Sequence, residues 1–161
     1  MKTFIKSVNT IANKVYNQLS GLEEKYFQTA LGIEFRKKKI DFMREAGLEL
    51  FYENHPLGLH ELDFLITPCY DLKEPLIIET KVSASISDSH RQQLRNYLRS
   101  ASKNKNVIIK SIKMGMLLNF NNSEQITESV KKRKETQDIE MEVWEYKNKK
   151  FLQVFSNKIK K

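Results

Sequence analysis

Asp63 and the run Glu79-Thr80-Lys81 are the residues whose types and spacing could do chemistry in this chain. If Glu79 to Lys81 forms a strand, side chains alternate faces, so Glu79 and Lys81 point one way and Thr80 the other. Asp63 lies in the preceding apolar segment, flanked by Leu62 and Phe64 on the opposite face. Pairing those two segments would bring two carboxylates and an ammonium to one place. Carboxylates suit Mg²⁺, a hard cation that binds oxygen and keeps several waters. A neighbouring lysine can orient or help deprotonate an attacking water. The alternative is a chance pattern of charges on a solvated sheet face. The apolar surroundings LDFLI and PLIIETK argue against it, because an acid embedded there needs a partner or a cation.

Glu24 is the next candidate. Phe27 and Leu31 follow at helical spacing, which places Glu24 on the core-facing side of its helix. Taken alone, Glu24 is better explained as an acid favoured by the helix dipole at an N-terminus, as Glu23 could equally be. Gln93 and Tyr97 form an i, i+4 pair beside the Leu94/Leu98 side of another helix, where a satisfied polar rim is the competing account. His55, His60 and His90 show no metal-ligand spacing. The single cysteine, Cys69, excludes an intrachain disulfide and fits a reducing compartment. There is no Walker loop, no GxGxxG and no CxxC pair, which argues against nucleotide-switch, dinucleotide and structural-zinc chemistry.

The elements that must position these residues follow from periodicity. Phe4, Val8, Ile11, Ala12, Val15 and Leu19 recur at helical spacing, predicting a helix over 3–19 that Ser20-Gly21 interrupts. A second helix runs from Leu22 to Lys39, and a third short helical piece over Asp41–Ala46 ends at Gly47. Strands follow at Leu48–Tyr52, Glu61–Thr67 and Leu76–Lys81, with turn chemistry between Pro68 and Pro75. Ser87 or Asp88 can cap a helix reaching Ser102. Met114–Phe120 reads as a buried strand, residues 123–136 as a polar helix, and Glu140–Tyr146 with Phe151–Phe155 as a closing hairpin. The result is an α/β chain with a mixed sheet flanked by helices.

The chain has 161 residues, a length for one domain, with no linker, repeat or low-complexity tract. No apolar run approaches the roughly 20 residues that span a bilayer, and Lys6, Ser7, Asn9 and Thr10 break up any signal-peptide core. A soluble intracellular protein, cytoplasmic or nuclear and of cellular or viral origin, is therefore expected. The net charge of +8 points to a polyanionic partner. The basic residues cluster at Arg36-Lys37-Lys38-Lys39, Lys131-Lys132-Arg133-Lys134 and the Lys158-to-Lys161 tail. KKRK is open to three readings: a nuclear address, a phosphate-contacting run or a solvated helix face.

Together these pieces resemble the GxxExxY family of the PD-(D/E)XK nuclease superfamily, close to the RecB and lambda-exonuclease-like enzymes. Gly21 and Glu24 fill the first two named positions; Phe27 stands at the tyrosine position, with Tyr26 one residue earlier. Gly58 precedes the Asp63 segment, and Glu79-Thr80-Lys81 is similar to the ExK strand. Gln93-Leu94-Arg95-Asn96-Tyr97 resembles the QxxxY helix motif, and Gly115-Met116-Leu117-Leu118-Asn119-Phe120 the GLLxNF strand. The resemblance covers about residues 8–121, with 40–54 fitting poorly and 122–161 forming a C-terminal extension.

The resemblance implies a restriction-endonuclease-like core and a Mg²⁺- or Mn²⁺-dependent phosphodiesterase acting on DNA. Asp63, Glu79 and the Thr80 carbonyl would bind the cation, with Glu24 joining directly or through water, and Lys81 would orient the attacking water. Gln93 and Tyr97 would brace the site or touch the nucleic acid, and Arg36, Lys37 and Arg95 would track phosphates. A homodimer through the C-terminal hairpin is an open expectation. Two alternatives remain: a binding or assembly protein on the same fold without turnover, and an RNA-directed nuclease.

Overall fold

The computed structural model describes residues 1–122 and 137–158. The chain opens with α1 (Lys2–Leu19), whose residues Phe4, Val8, Ile11, Ala12 and Val15 are buried along one stripe. Asp71, far away in sequence, caps it by accepting hydrogen bonds from the Thr3 and Phe4 amides at 2.9 and 3.0 Å. Then α2 (Glu24–Lys37) buries Phe27, Leu31 and Phe35. It ends in a Schellman motif, with the Ile40 amide donating to the Phe35 carbonyl at 2.9 Å and the Lys39 amide to Arg36 at 3.0 Å. Lys39 takes the left-handed conformation (φ 55°) that this motif requires.

Residues 41–46, expected to form a third helix, do not. Phe42–Met43 is a short strand, β1, and Ala46–Tyr52 forms β2, so Gly47 sits inside a strand and not at a helix end. The cause is tertiary. Phe42 packs edge-on against Phe35 and Phe64 (ring centroids 5.8 and 5.4 Å apart), and that aromatic cluster outweighs local helical preference.

The strand expected over 61–67 is also two elements. β3 (His55–Leu62) pairs with β2 in a separate two-stranded ribbon, whereas β4 (Phe64–Ile66) belongs to the main sheet, and Asp63 is the bend between them. The main sheet continues with β5 (Leu76–Val82), β6 (Met114–Phe120), β7 (Ile139–Lys147) and β8 (Lys150–Ser156), in the order β1-β4-β5-β6-β7-β8. β5 and β6 are parallel and every other neighbouring pair is antiparallel. The connection between β5 and β6 is α3 (Asp88–Ala101), capped by Ser87, followed by the one-turn α4 (Val107–Lys110). The expected helix at 123–136, with its KKRK run, and residues 159–161 of the tail lie outside the described residues.

Alternation along the strands gives the sheet two cores. Ile78, Met116, Leu118, Phe120, Ile139, Met141 and Val143 face α1 and α2. Ile77 and Leu117 face α3, where Leu94, Tyr97, Leu98 and Ala101 cover them. The approach of α3 is close: a methyl group on Gly115 would stand 2.5 Å from a Leu94 methyl. The closing hairpin turns at Asn148 and Lys149, both with positive φ. It is an integral part of the sheet, since β7 pairs with β6 from Met114 to Phe120. This architecture is a mixed sheet flanked by helices, consistent with a restriction-endonuclease-like fold.

Candidate active site

The site forms where β4 stops and β5 runs on. Extending the β4–β5 register (Phe64↔Ile78) by one step sets Asp63 opposite Glu79, but Asp63 has left the ladder. Its Oδ2 accepts instead from the Thr80 amide at 2.8 Å and from the Thr80 hydroxyl at 2.7 Å. The carboxylate thereby satisfies a strand amide at the point where the neighbouring strand ends. Thr80, fully buried, lies on the face of α1 and α2, while Glu79 and Lys81 lie on the face of α3. The acids therefore wrap around the edge of β5, which alternation alone does not predict.

Glu79 is only 2% exposed, and its Oε1 has no hydrogen-bond partner. The Lys81 Nζ lies 3.7 Å from the other carboxylate oxygen, an ion pair too long for a good hydrogen bond. Burial pushes the Glu79 carboxyl up to about 8, Asp63 and Glu24 push the same way, and Lys81 offsets part of the rise. Glu24, on the first turn of α2, is also raised, first by burial and then by Asp63, against the pull of Lys81 and the Val82 amide. These four charged groups act on one another electrostatically, so the structure brings Glu24, Asp63, Glu79 and Lys81 together.

Gln93 and Tyr97 border the same place from α3. The Gln93 amide donates to the Tyr97 hydroxyl, which is bonded in turn to the His60 Nε2 at 2.6 Å. The rings of His60 and Tyr97 stack with centroids 4.5 Å apart. Burial, and then the nearby Glu79, hold the Tyr97 phenol above its usual range. Tyr97 is buried, at 3% exposure. Burial depresses the His60 imidazole, with Asp63 pulling the other way.

The basic candidates are not gathered here. Arg36 and Lys37 lie at the far end of α2 from Glu24, about 18 Å along the helix axis. Arg36 stacks on Phe42, and Lys37 pairs with Glu34 at 2.7 Å. Arg95 is exposed, half a helical turn around from Gln93.

Three side chains escaped the reading of the sequence. Gln28 bonds both Thr80 and Glu24, Arg44 bonds Gln28, and His60 bonds Tyr97. Gln28 had a local signal, its i, i+4 spacing from Glu24. Arg44 and His60 had none, because each arrives from another element.

The donor set fits a hard divalent cation. A buried carboxylate with an unpartnered oxygen, beside two more acids and a lysine, is costly without positive charge. Among the described residues no group of three or more His, Cys, Asp or Glu side chains is gathered as a ready cage.

A family model described as the PD-(D/E)XK nuclease superfamily matches residues 2–133. No curated protein and no solved structure matches the chain.

Proposed function

The chain belongs to the PD-(D/E)XK nuclease superfamily, which supports a nuclease-type function, and from that premise we propose that it is a Mg²⁺- or Mn²⁺-dependent deoxyribonuclease of the GxxExxY branch. The observation that carries this reading is Glu79, a buried carboxylate with an orphaned oxygen beside Asp63, Glu24 and Lys81. Glu79, Asp63 and the Thr80 carbonyl would hold the cation, with Glu24 joining directly or through water. When bound, the cation supplies Lewis-acid stabilisation of charge on the scissile phosphate and a lowered pKa for water.

The protein's own groups do the rest. Lys81 orients the attacking water and places positive charge against the phosphate. Water oxygen bonds to phosphorus as the bond to the leaving oxygen breaks; the water gives up a proton to solvent, and the leaving oxygen takes one from solvent. Gln93, Tyr97 and His60 hold the wall of α3 against the site. Exposed Arg36, Lys37 and Arg95, away from the reacting groups, serve as longer-range phosphate contacts. The whole chain works as one intracellular domain, and pairing through the C-terminal hairpin is the form a dimer would take. Among the described residues no helix is long and apolar enough to cross a membrane.

Linear, circular and single-stranded DNA incubated with Mg²⁺ or Mn²⁺ tests the reading. Cleavage abolished by EDTA and by Glu79→Ala is expected. Cleavage that survives Glu79→Ala would show the site to be misplaced, and binding without any cleavage would point to a non-catalytic role.

A further inference from the structure

Resting on the cation site proposed above, we infer that Gln28 and Arg44 are positioning residues that fix its two outer carboxylates relative to one another. The Gln28 Nε2 donates to the Thr80 hydroxyl at 3.0 Å and lies 3.4 Å from the Glu24 Oε1. Its Oε1 accepts from the Arg44 Nη2 at 2.9 Å. The Thr80 hydroxyl, whose proton goes to the Asp63 Oδ2, can only accept from Gln28. One amide therefore ties Glu24 on α2 to Asp63 at the bend between β3 and β4.

The direction of this chain of bonds is set chemically. Flipping the amide would aim the Gln28 carbonyl at two acceptors, the Glu24 carboxylate and the Thr80 oxygen, and its NH₂ at a guanidinium that only donates. Arg44 makes the observed orientation the sole satisfied one. Its own place is held by stacking on Phe64, 5.3 Å from the ring centroid. Phe64 directly follows Asp63, so the residue that seats Arg44 and the acid that receives the relay move as one piece of backbone. Gln28 is half-buried, and its amide is committed to polar partners at both ends. A need to hold two like charges on separate elements at a set spacing accounts for that commitment, and such outer-shell contacts typically change metal affinity about 10–100-fold.

The test is calorimetric Mn²⁺ binding beside urea unfolding in EDTA, for wild type, Gln28→Met, Thr80→Val, Thr80→Ser and Glu79→Ala. Gln28→Met keeps the side-chain length and loses both donor and acceptor. Thr80→Val loses the hydroxyl, Thr80→Ser keeps it, and both retain the backbone carbonyl. We expect Gln28→Met and Thr80→Val to raise the Mn²⁺ Kd about 10–100-fold with the EDTA unfolding midpoint held, and Thr80→Ser to bind as wild type does. Wild-type affinity in Gln28→Met and Thr80→Val overturns the inference while leaving the nuclease reading intact. A weakened affinity that tracks a lowered unfolding midpoint also overturns it, by assigning the contacts a structural role. Absence of Mn²⁺ binding by the wild type, matching Glu79→Ala, overturns both.

Discussion

At the scale of single residues, the buried Glu79 carries the proposed chemistry. Its carboxyl is held near 8 against an ordinary value of 4.5, chiefly by burial, so the folded, metal-free chain keeps a proton that the unfolded chain releases. A raised folded pKa stabilises fully below the unfolded value, and that contribution drains away as pH climbs to the folded one. The window here is pH 4.5 to 8. In EDTA, wild type should lose stability across this window relative to Glu79→Gln, which carries no titrating group. Urea midpoints of the two proteins at several pH values measure the gap, and saturating Mg²⁺ should close it at pH 8. A constant gap would mean that Glu79 is ionised in the metal-free fold.

Elements position these residues through their ends as much as through their faces. The bend between β3 and β4 frees the Asp63 carboxylate, and the first turn of α2 delivers Glu24. The last turn of α2 is strained in one detail, the left-handed Lys39. Lys39→Gly should stabilise the protein by about 0.5–1 kcal/mol, glycine's freedom when unfolded offsetting part of the relief. A shift in urea midpoint at unchanged slope is the measure. Gly115 is the converse case. Gly115→Ala drives a methyl group into buried Leu94 and should cost about 1–3 kcal/mol by overpacking, with α3 and the Tyr97 brace displaced from the sheet. A variant as stable as wild type would show that Leu94 can move aside freely.

For the whole molecule, the C-terminal hairpin belongs to the core. Ile139, Met141 and Val143 are buried against α1 and α2, and burying side chains of this size is worth about 1.5–3 kcal/mol each. That approaches the roughly 5–15 kcal/mol that stabilises an ordinary domain. A chain ending at Asn122 should therefore lack a cooperative unfolding transition, followed by circular dichroism. Cooperative unfolding of that fragment would make residues 8–121 a self-sufficient unit and the hairpin an addition. The family match running to residue 133 stops short of β7, so the hairpin's contribution is visible only in the sheet.

The sequence by itself determined the helices α1, α2 and α3, the buried strands β5 and β6, and the placing of Glu79 and Lys81 on one face of β5. Each of these is encoded locally, as helical spacing in α1 or as a continuous apolar run in β6. It also held the PD-(D/E)XK superfamily, because Glu24, Asp63, the Glu79-to-Lys81 run and the Gln93/Tyr97 pair occur in a recognisable order. Tertiary structure decided the rest. Residues 41–46 became strand and turn because Phe42 has an aromatic pocket to fill, a partner that no local window contains. Asp63 turned out of its ladder because the chain passes there from ribbon to sheet, and Gln28, Arg44 and His60 joined the site across elements. Periodicity reports which face a residue occupies, whereas the meeting of side chains from four elements depends on how those faces are stacked.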